Sequence, residues 1–253
     1  CSSLTSITLP DGLTLIGERA FEGCYALTSI TLPDGLTSIG SSAFSNCSSL
    51  TSITLPESLT SIGFAAFGGC SSLTSITLPD GLTSIGDYAF QICSSLTSIT
   101  LPDGLTSIGN SAFEACYRLY EVYNKSDLTI TAGSSDNGYV ACYAKNVFTD
   151  SEGESKLKTD GDYIFYVDGE DIELIAYTGN ETSITLPSDY EGKSYNIGDY
   201  AFYNCSSLTS ITLPDGLTSI GNGTFEDCSS LTSITLPDGL TSIGDDAFLS
   251  CYR

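Results

Sequence analysis

Cysteines stand at positions 1, 24, 47, 70, 93 and 116 and again at 205, 228 and 251, each 23 residues after the last within its run. The segments 70–86, 93–109, 205–221 and 228–244 all read CSSLTSITLPDGLTSIG without a difference. Such a period makes every length of chain the same structural unit, and each unit meets copies of itself. One unit carries too little apolar surface to offset the entropy of ordering its backbone. It folds only where neighbours cover it above and below, so the fold is a stack.

In the unit 70–92 the apolar positions are Cys70, Leu73, Ile76, Leu78, Leu82, Ile85, Ala89 and Phe90. Leu73, Ile76 and Leu78 spell L-x-x-I-x-L, a short strand. Successive strand side chains alternate between faces, so Ile76 and Leu78 point inward while Ser75 and Thr77 point outward. Pro79 has no amide donor and ends the strand, and Asp80-Gly81 supplies turn chemistry. A second extended piece over 82–85 leads to Gly86, expected to take positive φ at the next corner. Ala89 and Phe90 return the chain through a tight 3₁₀ or helical turn. Stacked coils repeat about every 4.8 Å, so like residues form ladders. The largest ladder is Phe21, Phe44, Phe67, Phe90 and Phe113, resumed at Phe202, Phe225 and Phe248.

The pattern C-x-x-L-x-x-I-x-L-P-x-x-L-x-x-I-G-x-x-A-F resembles the BspA-like leucine-rich repeats, over residues 1–123 and 182–253. The resemblance implies a leucine-rich-repeat solenoid, mostly β, with a parallel sheet, short extended segments and 3₁₀ or helical turns. It also implies a surface or secreted protein of bacteria or parasitic protists that adheres to host matrix proteins or to other cells.

The pattern breaks at Asn124, where Leu is expected. The organisation read from this is a first array at 1–124, an irregular cap or linker with a β-hairpin at 125–181, and a second array at 182–253. Four of the five lysines (Lys125, Lys145, Lys156 and Lys158) lie in the interruption, and tyrosines cluster across 117–203. Residues 128–148 read as a degenerate coil or as a cap closing the first array, with 139–145 as a short covering helix. Residues 149–162 are polar and Gly-containing and read as a loop or linker. Residues 163–167 and 172–177, joined around Asp168-Gly169, read as a hairpin. The first coil of the second array, 182–204, carries a four-residue insertion between Pro187 and Ile197. Two readings of the interruption stand: a cap plus connector, or a Tyr-rich partner site, since Tyr is large, rigid and amphipathic.

Histidine is absent, which excludes serine–histidine and cysteine–histidine nucleophiles and histidine-bound zinc. The cysteine column lies within disulfide reach, but ladder side chains point the same way, so it reads as reduced thiols packed as small apolar groups. Asp11, Asp34, Asp80, Asp103, Asp215 and Asp238, with Glu57, form a turn column. Carboxylates can hold Ca²⁺, yet one per coil without a G-G-x-G-x-D repeat reads as solvated turns. A hydrolase built on paired carboxylates needs no His, but acids in repeated wet turns have no cause to shift their pKa. No catalytic residue, cofactor or metal is expected.

Thirty-one acidic against eight basic residues give a net charge of −23, which argues against nucleic acid and anionic membrane surfaces as partners. No apolar run approaches the ~18–20 residues of a membrane-crossing helix. The chain opens inside a repeat without a signal-like segment, and is expected to be a fragment of a longer secreted protein. Outward Ser/Thr pairs recur at Ser6/Thr8, Ser29/Thr31, Ser52/Thr54, Ser75/Thr77, Ser98/Thr100, Ser210/Thr212 and Ser233/Thr235. They read either as β-branched residues filling exposed strand positions or as a hydroxyl face for a ligand. The candidate face comprises the first five of these pairs with Tyr120, Tyr123, Tyr163 and Tyr166. The expected function is a non-catalytic extracellular recognition or adhesion module for a protein or glycan. A passive spacer is the alternative.

Overall fold

The computed structural model describes residues 1–149 and 154–252, and the chain forms two compact units, Cys1–Gly153 and Glu154–Arg253. In the first unit each coil contributes two short strands to two columns. The I-x-L pieces pair in parallel: Ser52–Thr54 with Ser75–Thr77, and Ser98–Leu101 with Glu121–Asn124. The second extended pieces, Leu15–Ile16, Ser38–Ile39, Ser61–Ile62, Ser84–Ile85 and Ser107–Ile108, form a five-stranded parallel sheet. Register is like on like, as in Ser52↔Ser75 and Ile53↔Ile76. A shift by one residue would turn the whole apolar set to solvent.

All eight apolar positions of the coil 70–92 are buried. The phenylalanine ladder is continuous, with neighbouring rings stacked at centroid distances of 5.1 to 5.5 Å from Phe21 to Phe113.

The return segment forms hydrogen-bonded turns, and no helix occurs among the described residues. Ala89 and Cys93 donate amides three residues back, to Gly86 and Phe90 (3.3 and 3.1 Å). Gln91 does the same to Tyr88 O at 3.1 Å, while the alternate residues point to the next coil instead: Tyr88 to Asn110 O, Phe90 to Ala112 O and Ile92 to Glu114 O, at 2.9, 2.7 and 2.8 Å. This alternation requires left-handed backbone at Tyr88 and Ile92 (φ 58° and 59°), which no continuous 3₁₀ helix tolerates. The positive φ expected at Gly86 therefore falls two and six residues later. Gly86 is required for a different reason: a Cβ there would lie 2.9 Å from Gly63 C of the preceding coil.

Residues 125–148 form a further coil on the first unit, since Asn146–Phe148 pairs in parallel with Glu121–Asn124. The covering helix expected over 139–145 does not form. Asn137, Gly138 and Tyr139 take φ of 49°, 64° and 67°, and Gly138 O accepts the amide of Phe113 at 2.7 Å, as the next coil of a stack would. Of the loop expected over 149–162, residues 150–153 lie outside the described residues. Leu157–Asp160 is not loop but a strand, antiparallel to Tyr163–Asp168.

In the second unit Tyr163–Asp168 and Asp171–Tyr177 make the expected hairpin, turned at Gly169 with φ 65°. Asp171–Tyr177 then pairs in parallel with Asn196–Ile197, which continues to Ser219–Ile220 and Ser242–Ile243. Tyr177 fills the phenylalanine position of its layer: its ring stacks on Phe202 at 5.6 Å, and its amide bonds Ala201 O at 2.9 Å. The four-residue insertion is visible in the register. Ser183 pairs with Ser210, 27 residues on, while Ile197 pairs with Ile220, 23 residues on. The excess is absorbed between those strands, where Tyr195 OH donates to Pro187 O at 2.7 Å.

Candidate functional site

Each of the five coils in residues 1–115 carries three threonines, and the structure separates them by what their hydroxyls do. Thr74 Oγ1 donates to Thr51 O at 3.2 Å, and Thr83 Oγ1 donates to Thr60 O at 3.0 Å. Both carbonyls already accept the backbone amide of the same threonine, so these hydroxyls are rungs between coils. Thr77 differs. It and Ser75 are exposed on the outer strand face, and their hydroxyls have no intramolecular partner among the described residues. The same holds for Ser6, Thr8, Ser29, Thr31, Ser52, Thr54, Ser98 and Thr100, of which Ser98 is half-buried. In the second unit Ser210 Oγ bonds Ser183 Oγ at 2.7 Å, while Thr212, Ser233 and Thr235 are exposed.

Where the strand face meets the turn column, the first unit has an open hollow of about 490 Å³. Thr31, Thr54, Asp34 and Glu57 line it together with the apolar Leu32, Leu55 and Pro56. The second unit repeats it at Thr212, Asp215, Thr235 and Asp238, with about 460 Å³. The turn carboxylates are exposed. Among the described residues no three acidic, Cys or His side chains group as metal ligands do.

The outward rows change character at the end of the first unit. By register Ser98 is followed by Glu121 and Asn146, and Thr100 by Tyr123 and Phe148. The Tyr123 and Phe148 rings stack at 4.8 Å, and Tyr123 OH donates to Glu121 Oε2 at 2.9 Å. Glu121 is fully buried. Neither Glu121 nor Phe148 was among the residues expected on the face. Adding 23 to Ser98 would have found Glu121, whereas Phe148 lies 25 residues beyond Tyr123 and has no consensus signal.

The four candidate tyrosines separate. Tyr123 continues the threonine row. Tyr120 is buried, with Lys145 Nζ 5.9 Å from its ring centre. In the second unit Tyr163 is half-buried against Tyr177, rings 5.5 Å apart, and Tyr166 is buried. Tyr120 and Tyr166 thus serve packing and do not present a surface.

The cysteines are free thiols with a shared role. Cys47, Cys70, Cys93 and Cys116 each donate Sγ–H to the phenylalanine carbonyl of the preceding coil, at 3.1 to 3.3 Å. Burial pushes the Cys47 and Cys116 thiols up to about 12 and raises Cys70 and Cys93 further in the same direction. Such thiols stay protonated at neutral pH and are inert as nucleophiles.

The family model for the BspA type leucine rich repeat region matches residues 1–120, 40–166 and 171–253. No curated protein matches the chain. Among solved structures, a leucine rich cell surface protein from Faecalibacterium prausnitzii is 29% identical, with 99% of this chain and 59% of that one covered, at a TM-score of 0.47. A leucine-rich repeat protein from Bacteroides ovatus is 27% identical, with coverage of 99% and 71% and a TM-score of 0.37. The Leucine Rich Repeat protein of T. pallidum is 26% identical, with coverage of 94% and 81% and a TM-score of 0.39. The chain therefore spans 59% of the length of the Faecalibacterium protein.

Proposed function

The chain belongs to the BspA-type leucine-rich-repeat family, and on that premise we propose that it is a non-catalytic recognition module acting outside the cell or at its surface. One observation carries this reading: the contrast between the threonines. Thr74 and Thr83 use their hydroxyls to bind coil to coil, while Ser75 and Thr77 leave theirs to solvent in register with Ser52 and Thr54. Rows of unbonded hydroxyls on a rigid sheet are preorganised for polar contacts with a partner, so binding costs little ordering of the site. The turn carboxylates recur one per coil and stay exposed to water along an open edge, which favours recognition over hydrolysis. A protein or glycan on another cell or on a matrix is the expected partner. The net charge of −23 disfavours nucleic acid.

A spacer that only lifts another domain away from a surface would bind nothing by itself. Labelled chain applied to intact epithelial and bacterial cells, and to immobilised matrix proteins, separates the readings. Saturable binding by the isolated chain is expected. Its absence on every surface would favour the spacer.

A further inference from the structure

The six-stranded sheet of the second unit ends at Leu157–Asp160, which pairs on one side only, with Tyr163–Asp168. The ladder fixes which backbone groups of this edge face outward. Lys156 O accepts the amide of Val167 at 2.8 Å, and the register continues through Lys158↔Phe165 and Asp160↔Tyr163. Hydrogen-bonded and non-hydrogen-bonded positions alternate along an antiparallel pair. Lys158 and Asp160 therefore bond inward, while Leu157 and Thr159 turn their amides and carbonyls outward. The Leu157 amide is held locally by Ser155 Oγ at 3.2 Å. Thr159 has no backbone partner on its outward side among the described residues.

Lys158, Thr159 and Asp160 are exposed. Charge on an edge strand ordinarily discourages a second strand from adding. Here the two signs lie on opposite sides of Thr159, in the order Lys156, Lys158, Asp160, Asp162. An antiparallel copy of the same strand presents the same outward residues. Only registers that oppose Leu157, Thr159 or Gly161 to one another then form hydrogen bonds. A register centred on Lys158 sets lysine against lysine, and one centred on Asp160 sets aspartate against aspartate. Centring on Thr159 places Lys158 of each copy opposite Asp160 of the other. That is a non-hydrogen-bonded pair, where opposed side chains approach most closely. Lys156 and Asp162 extend the same complementarity, with Lys156 also held by Asp168 at 2.8 Å and Lys158 Nζ donating to Ser155 O at 3.2 Å.

We propose that Leu157–Asp160 is a docking edge for a second copy of this chain, paired antiparallel about a two-fold axis at Thr159. The contact is self-complementary, as a two-fold interface must be. So short a seam makes a weak pair, and it acts where many copies stand together and their effective concentration is high. It adds a self-contact to the recognition reading and does not depend on the hydroxyl face.

Clustering of beads coated with the whole chain tests the pairing, at about 0.15 M salt, where exposed charges more than about 8 Å apart are largely screened. Parent beads are expected to cluster. Beads carrying Lys158→Glu, or Asp160→Lys, oppose like charges across the seam and should cluster about tenfold less. Both side chains are exposed, so the thermal melt should be retained. Mixing the two kinds of variant bead restores opposite charges at both pairs and should bring clustering back to the parent level. Thr159→Pro removes the outward donor, leaves the inward ladder intact and should also prevent clustering. Dispersed parent beads, single variants that cluster like the parent, or mixed variants that stay dispersed would each overturn the proposal.

Discussion

The thiol of Cys70 donates a hydrogen bond to the carbonyl oxygen of Phe44, 3.3 Å away in the preceding coil. That carbonyl already accepts the amide of Cys47 at 3.1 Å, so two coils converge on one acceptor. The position demands a side chain small enough for the packed interior and able to donate. Cysteine meets both needs, which gives the 23-residue cysteine column a structural cause without disulfides.

Cys70→Ala removes the donor and leaves a small void, and should cost about 1–2 kcal/mol, from the lost hydrogen bond and the missing packing. Urea unfolding of the variant measures it. A change smaller than the error of the extrapolation would mean that the thiol contributes only volume.

Buried thiols also set a pH dependence. In the unfolded chain these groups ionise near their ordinary value of 9.0, while folded Cys47 and Cys116 hold their protons up to about 12. The native state then binds more protons than the unfolded state, so stability falls as pH rises from about 9 toward 12. Below pH 9 this contribution is fully present. Denaturant melts across that window should show the decline, and a thiol reagent at pH 8 should label Cys1 rapidly while Cys47, Cys70, Cys93 and Cys116 react only on unfolding.

Two glycines separate close approach from flexibility. Gly86→Ala would push a Cβ to 2.9 Å from Gly63 C and 3.0 Å from Gly63 O, and overpacking against backbone costs about 1–3 kcal/mol. Gly17, at the same place in the first coil, has nothing within 4 Å. Gly17→Ala should be neutral or stabilise by about 0.4–1 kcal/mol, because it restricts the unfolded chain. Paired thermal melts of the two variants check the difference in sign.

Ile92 is half-exposed and β-branched yet sits at φ 59°, a conformation that costs an L-residue about 1–2 kcal/mol. Gly69 occupies the equivalent position one coil earlier, at φ 76°. Ile92→Gly should raise stability by about 1 kcal/mol. A lower melting temperature would show that packing of the Ile92 side chain outweighs its backbone strain.

Much of this architecture is legible in the sequence because period and alternation act locally and repeat. The L-x-x-I-x-L spacing places Ile76 and Leu78 inside and Ser75 and Thr77 outside, and the structure follows it. The surplus of four residues before Ile197 is likewise readable as an insertion. What escaped depends on contacts between coils. The left-handed backbone at Tyr88 and Ile92 arises because their amides reach the next coil, and nothing in those residue types announces it. Leu157–Asp160 looks like polar loop, and becomes a strand only because Tyr163–Asp168 offers it an edge. Glu121 and Tyr123 replace Ser and Thr on the outward rows, a departure that alignment of the repeats would expose. The bonding state of each threonine hydroxyl could not be read from three identical residues per coil, and on that distinction the candidate face rests.

Cell and matrix binding of a Thr54→Arg, Thr77→Arg double variant, beside the parent chain, measures whether the unbonded hydroxyl rows form the recognition surface. Both side chains are exposed, so the melting temperature should stay the same while affinity falls about tenfold or more. Undiminished binding by a fully folded variant would contradict that role and move recognition away from this face.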